Sequence, residues 1–318
     1  MPVSICKKNH FQDYAPSKDL NSNTNNETPR CIDESGPWPF VTRRIFERGD
    51  ASTWIWSSRH HRKKLNYSRN DATQLPSHAL RQSIWLPRKL NWWIGLIFAI
   101  GSLLFLTACI CSLALMSGLT TVLDLSNTNR MFFCGSIFFT IAAYLQLYQS
   151  ANPDSLWQTS ITRPRNYLGW RPSDIGWISS ALQFLGTLLF NVNTYNAMSS
   201  DLTWLQQDLR IWLPDLVGSI LFLASGYLAF AETCHSHWSW HFRDLSWRIV
   251  FSNLIGCLAF MAAAATAFST PESINLKLQF FSMGMTAIGA VSFLIGALSM
   301  LPESTSNSNF KHPEIVDN

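Results

Sequence analysis

Charge is what this sequence has least of. Only 14% of its 318 residues are Asp, Glu, Lys or Arg, against 47% hydrophobic, whereas a soluble globular domain carries about a quarter charged residues. The charge is also unevenly placed, because 15 of the 24 Lys and Arg, with eight acidic residues, precede residue 91. This is the profile of an integral membrane protein with a polar N-terminal tail. A mildly basic tail beside membrane spans faces anionic lipid more readily than nucleic acid, so no nucleic-acid partner is expected.

Other absences exclude chemistry. No CxxC pair or metal-ligand spacing occurs among the seven cysteines, and Cys109, Cys111, Cys134 and Cys257 lie in apolar runs, so neither a disulfide framework nor a zinc centre is expected. No histidine lies inside an apolar run, which argues against paired haem ligation. The sequence has no Walker loop and no GxSxG, and no Asp, Glu, Lys or Arg stands at the centre of a run, which argues against an ATPase, a serine hydrolase or a proton relay. The opening MPVSICKKNHFQDY lacks an apolar h-region, so insertion is expected to begin at the first span. These absences leave a non-enzymatic protein without cofactor or metal as the leading expectation. A membrane enzyme would have only Glu232 and His235 to work with.

What is there is apolar and periodic. Six runs, roughly 92 to 116, 131 to 149, 174 to 198, 211 to 231, 247 to 269 and 278 to 301, are each close to the ~20 residues that cross hydrocarbon. The expected fold is therefore an all-α integral membrane protein, with six transmembrane helices over 85–303 arranged as three repeated two-helix hairpins (85–150, 170–232 and 240–303). A polar, mostly disordered tail over 1–84 precedes it, and a short tail over 304–318 follows. Within the N-terminal tail NSNTNNETP is low-complexity, while VTRRIFERGDASTWIWSSRHHRKK suits a short strand or a membrane-surface patch. Its Arg59 to Lys64 cluster reads either as a solvated charge run or as an anchor on anionic lipid.

Arg81, Arg88, Lys89, Arg163, Arg165, Arg171, Arg243 and Arg248 on one side outnumber Arg130, Arg210 and Lys277 on the other. By the positive-inside rule both termini are expected in the cytoplasm, for a multi-pass protein of the inner or plasma membrane. Tryptophans 85, 92, 93, 170, 177, 238, 240 and 247 gather where odd-numbered helices leave that surface, as an aromatic belt would.

Each span carries Gly-x3-Phe: Gly101 and Phe105, Gly135 and Phe139, Gly186 and Phe190, Gly218 and Phe222, Gly256 and Phe260, Gly289 and Phe293. The odd spans extend this to Trp-x6-Trp-x8-Gly-x3-Phe, three times over. Paired glycines lie 34, 32 and 33 residues apart, which makes the unit a hairpin. Positions i, i+4 and i+7 share a helix face, and position i+7 is Ala108, Ala142, Asn193, Ser225, Ala263 and Gly296, small in five of six. Small residues let membrane helices approach closely. A depth estimate from the span ends sets each glycine opposite its partner's i+7 residue and gathers the phenylalanines in one middle layer.

Paired spans carrying G-S-x-L-F resemble the YrhK-like two-helix membrane domain. The pattern from W-S-S-R-H-H-R-K through W-L-P-R-K-L-N-W-W to A-E-T-C-H also resembles a set of uncharacterised bacterial six-span proteins, over residues 41 to 303. The resemblance implies a fold and no activity. Trp240-His-Phe departs from it, lacking the proline of Trp85-Leu-Pro and Trp170-Arg-Pro.

Polar residues inside or bordering the spans are the candidate sites. Asn191, Asn193 and Asn196 end the third span, and either join helices by hydrogen bonds or form a polar ligand site. Glu232 and His235, at i, i+3 near the end of the fourth, are either an interfacial polar ending or one arm of a carboxylate metal motif. Gln149 and Glu303 stand at the same count of 14 from their glycines as Glu232. Asp174, Asp215 and Asp244 are expected to cap helix starts. Two functions remain open: a structural or stress-related bundle, and a passive or facilitative small-solute transporter built on parallel repeats. Oligomeric state is not legible.

Overall fold

A computed structural model describes residues 30–47, 53–63, 65, 83–119, 124–153, 165–199, 201–268 and 276–305. Six helices are long and apolar enough to span a membrane: α2 (Leu90–Met116), α3 (Leu125–Ala151), α4 (Ile175–Asn196), α5 (Trp204–Cys234), α6 (Leu245–Thr266) and α7 (Leu276–Glu303). The chain is an integral membrane protein whose spanning part is all-α. Each spanning helix packs on its sequence neighbours and α2 closes on α7, so the six form a ring. Their lipid-facing sides carry exposed Leu103, Ile110, Leu185, Ile220, Leu258 and Ile295.

The helix starts follow from local chemistry. Asp124, Asp174 and Asp244 accept the backbone N–H groups of Asn127, of Gly176 and Trp177, and of Ser246, which satisfies donors that the first turn leaves free. Asp215 does not cap. Helix α5 begins upstream at Trp204 and passes through a π-helical turn, Asp208–Trp212, so Asp215 lies inside the helix and accepts instead from Asn193 Nδ2 at 3.0 Å.

The core lies on the ring axis. Phe105, Phe139, Phe190, Phe222, Phe260 and Phe293 are all buried and stack across the helices, with centroid separations of 5.0 Å for Phe105–Phe139, 4.9 Å for Phe190–Phe222 and 5.4 Å for Phe260–Phe293. Phe105–Phe260 at 6.2 Å, Phe139–Phe293 at 6.3 Å and Phe190–Phe260 at 5.6 Å tie the three pairs together. The expected middle layer of phenylalanines is present. The expected partner of each glycine is not. A Cβ on Gly101 would lie 2.8 Å from the Phe139 ring and 3.1 Å from the Gly135 carbonyl oxygen, and one on Gly135 would lie 2.6 Å from the Phe105 ring. Glycine therefore meets glycine backbone and phenylalanine, because the two cross at the same depth. The i+7 residue then lies level with the partner's i−7 residue, as Ser225 does with Ser179, whose hydroxyls are 3.2 Å apart. The depth estimate failed because α3, α5 and α7 continue as helix beyond the ends of their apolar runs.

Ahead of the ring stands a small folded unit where the sequence reading leaves a mostly disordered tail. Strands β1 (Arg30–Ser35), β2 (Arg43–Glu47) and β3 (Thr53–Ser57) form an antiparallel sheet in that order, and α1 (Ser58–Lys63) follows β3 directly. Arg43 pairs with Ser35 on one side and Ser57 on the other; the Thr42 N–H closes the β1–β2 turn on the Ser35 carbonyl at 3.0 Å, and the Thr42 carbonyl accepts the Ser58 N–H at 2.9 Å. Cys31 is disulfide-bonded, whereas Cys109, Cys111, Cys134, Cys234 and Cys257 are free.

Candidate functional site

The tail-side end of the ring is the most charged buried place among the described residues, and it is built from two directions. From the bundle come the ends of α5 and α7, where Glu232 is fully buried and Glu303 is 4% exposed. An unpaired carboxylate at such depth costs several kcal/mol, so each requires partners. From the N-terminal unit comes α1, whose Ser58, Arg59, Arg62 and Lys63 are buried.

The pairing is regular. Ser58 Oγ and Arg62 Nη2 donate to Glu232 at 2.8 and 2.5 Å. Arg59 Nη2 and Lys63 Nζ donate to Glu303 at 3.0 and 2.7 Å. Residues four apart are neighbours on a helix surface, so each carboxylate takes one i, i+4 pair. Glu303 also receives Asn91 Nδ2 at 3.3 Å and Ser246 Oγ at 3.0 Å, from the first turns of α2 and α6. Gly176, the equivalent position on α4, carries no side chain, and a Cβ there would strike the Arg62 guanidinium. Beside this cluster His235 Nδ1 lies 2.9 Å from Thr42 Oγ1, joining the sheet to the α5 end.

Burial dominates the electrostatics. It pushes the Lys63 ammonium down to about 7, with the Arg59 charge adding to the effect and Glu303 opposing it. His60 and His235 are each held down to about 4, by burial first and then by Arg59 and Arg43 respectively. Asp174 is raised by burial and then by Glu232.

The candidate residues fall into separate places. Glu232 and His235 are close in sequence but do not share a helix face, because α5 ends at Cys234 and His235 turns left-handed with φ 53°. They hold the N-terminal unit, and among the described residues no group of three or more His, Cys, Asp or Glu could hold a metal. Asn191, Asn193 and Asn196 lie towards the far end of α4 and reach both neighbouring helices: Asn191 donates to Thr140 Oγ1 on α3 at 2.8 Å, and Asn193 and Asn196 donate to Asp215 and to the Arg210 carbonyl on α5 at 3.0 and 3.2 Å. They join helices and do not converge with Glu232 and His235 on one site. Arg59, Arg62 and Lys63 of the basic cluster are buried against the bundle; Lys64 lies outside the described residues.

The third even-helix position, Gln149, is 4% exposed, and its Oε1 has no hydrogen-bond partner. Two of three ends thus carry charge, and those two form the ion pairs with α1. Sequence reasoning missed the cationic half. The signal was present: two carboxylates at span ends need buried cations, and Ser58–Lys63 offers adjacent i, i+4 pairs.

Between this mouth and the phenylalanine layer is a cavity of about 40 Å³, lined by Gln183, Thr187, Ser225 and Asn253 beside Phe rings. Since one water needs on the order of 10–15 Å³, it suits a molecule of a few atoms. The enclosed Asn253 Oδ1 has no hydrogen-bond partner. No family model, curated protein or solved structure matches this chain.

Proposed function

We propose that this protein is a non-enzymatic, structural membrane bundle of three related two-helix hairpins, akin to the YrhK-like domain. The observation that carries the reading is the phenylalanine core: six rings from six helices occupy the ring axis in mutual contact, where a conduit would need a polar lining. The equivalent glycine contacts of all three pairs support common ancestry, since a Cβ on Gly218, Gly256 or Gly289 would come within 2.8 Å of Phe190, Phe293 or Phe260. Purified protein reconstituted into liposomes tests the role. Under an osmotic step the vesicles should shrink in urea and in glycerol at the rate of empty ones, by stopped-flow light scattering.

A second reading, passive passage of a small uncharged solute, draws on the polar lining of the cavity at Gln183, Thr187, Ser225 and Asn253. Accelerated urea or glycerol flux, abolished by Asn253→Leu, would replace the structural reading with this one. On either reading the tail side is cytoplasmic in an inner or plasma membrane, supported by the excess of Lys and Arg there. The disulfide at Cys31 pulls the other way, because such bonds persist in oxidising compartments.

A further inference from the structure

The seating of α1 has the properties of a recognition event. The segment is six residues long, and it presents to the bundle two adjacent i, i+4 pairs, each met by one carboxylate from a different spanning helix. Half of the receiving site is organised without it. Asn91 and Ser246, both from the bundle, hydrogen-bond Glu303 and fix its orientation, and Gly176 leaves the space that the Arg62 guanidinium fills. The ligand half is less complete. Three cations face two carboxylates, and the Nε atoms of Arg59 and Arg62 have no hydrogen-bond partner. The covalent connection of α1 to the sheet also raises its effective concentration at the mouth.

We infer that the tail-side mouth of the bundle is a docking site for a short basic helical segment of a partner protein, which the chain's own residues 58–63 occupy in cis and thereby block. The chemistry selects the partner. It must offer cations three residues apart, as Arg59 and Arg62 are, because Glu232 and Glu303 are both buried and an acidic or apolar segment would leave both unpaired. Arg is favoured at the Glu232 position, where its planar fork lies over Gly176. The inference stands whether or not the bundle passes solute.

Binding of a peptide by the full-length protein tests it. The protein is placed in phosphatidylcholine nanodiscs, which remove anionic lipid as a competitor, and the probe is a fluorescein-labelled peptide of residues 55–66. The chain carrying Arg59→Ala, Arg62→Ala and Lys63→Ala should bind this peptide saturably. The unmodified chain should bind it at least tenfold more weakly, because its mouth is already filled. A peptide with Glu in place of Arg59 and Arg62 should not bind. Adding Glu232→Gln and Glu303→Gln to the triple variant should abolish binding. Equal binding by the unmodified and triple-variant chains, binding by neither, or binding that survives the two Gln substitutions would overturn the inference. Should the triple variant fail to fold, the unmodified chain still decides. Excess peptide should raise hydrogen exchange at residues 58–63, and unchanged exchange at saturating peptide would refute displacement.

Discussion

Glu232 and Glu303 set the chemistry of the tail-side end, and they show how little of a buried charge is decided by the residue that bears it. Removing one partner from a buried ion pair costs about 3–5 kcal/mol, far more than an exposed pair contributes. The cluster is therefore intolerant of single losses. The histidines beside it add a pH dependence. His60 and His235 ionise at about 4 in the folded chain against an ordinary 6.5, chiefly through burial. Because the folded value is the lower, their contribution is fully present above about pH 6.5 and is lost as pH falls through 4. Lys63 acts in the same direction: its folded value of about 7 lies below the ordinary 10.5, so stability rises with pH across that interval. Hydrogen exchange over residues 42–63, corrected for intrinsic rates, should show protection falling as the pH drops from 6.5 to 4. His235→Asn, which keeps an αL-tolerant residue, should flatten part of that fall. A flat profile in the unmodified chain would remove both histidines from the latch.

At the scale of the element, the spanning helices are joined by contacts that side-chain volume makes or breaks. The seam glycines differ in how much room they have. A Cβ at Gly135 would meet the Phe105 ring at 2.6 Å, whereas at Gly186 the nearest atoms are the Gly218 carbonyl oxygen at 3.1 Å and the Phe222 ring at 3.2 Å. Overpacking costs about 1–3 kcal/mol, and replacing a helical glycine by alanine returns roughly 1 kcal/mol. Gly135→Ala should therefore lower the melting temperature in detergent clearly, and Gly186→Ala should leave it nearly unchanged; the reverse order would remove the seam as a source of stability. The odd helices are also pinned at their entries. Trp92, Trp177 and Trp247 each donate an indole N–H to a backbone carbonyl 9, 9 and 8 residues back, at Ser83, Leu168 and Ser239. Each also lies edge-on or tilted to the Trp seven residues earlier, at 5.6, 5.3 and 5.8 Å. The third entry, where Trp240-His-Phe lacks proline, is the one that reaches its carbonyl one residue sooner.

At the scale of the whole molecule, the ring encloses a sequence of layers along its axis: the ion pairs with α1, the polar cavity near Asn253, and the phenylalanine layer. The N-terminal unit is joined to two helices of the ring that flank α6, through Glu232 on α5 and Glu303 on α7. It therefore bridges two helices that are not neighbours in the ring, at the end where Arg171, Arg243 and Arg248 also lie. A fluorescent protein fused after residue 318 should be bright in cells if that side is cytoplasmic. A dark fusion, with an active periplasmic reporter at the same position, would invert the orientation and agree with the Cys31 disulfide.

The sequence by itself determined the six spans and the convergence of phenylalanines, whereas what each glycine meets was decided by the tertiary structure. Hydrophobic length and helical periodicity are local properties, and small residues at one face leave few ways for membrane helices to approach. It also marked Glu232, Glu303 and Gln149 as equivalent, by counting from the glycines. The tertiary structure decided what those positions meet. That α1 supplies their partners depends on contacts between residues 170 to 244 apart, which no local pattern encodes. It also decided that Asp215 pairs with Asn193 instead of capping, because the π-helical turn moves the helix start upstream. Likewise, a left-handed residue at His235 breaks a spacing that looks helical on paper. Span and packing code are written in periodicity, whereas burial of charge is settled only when distant segments close on one another.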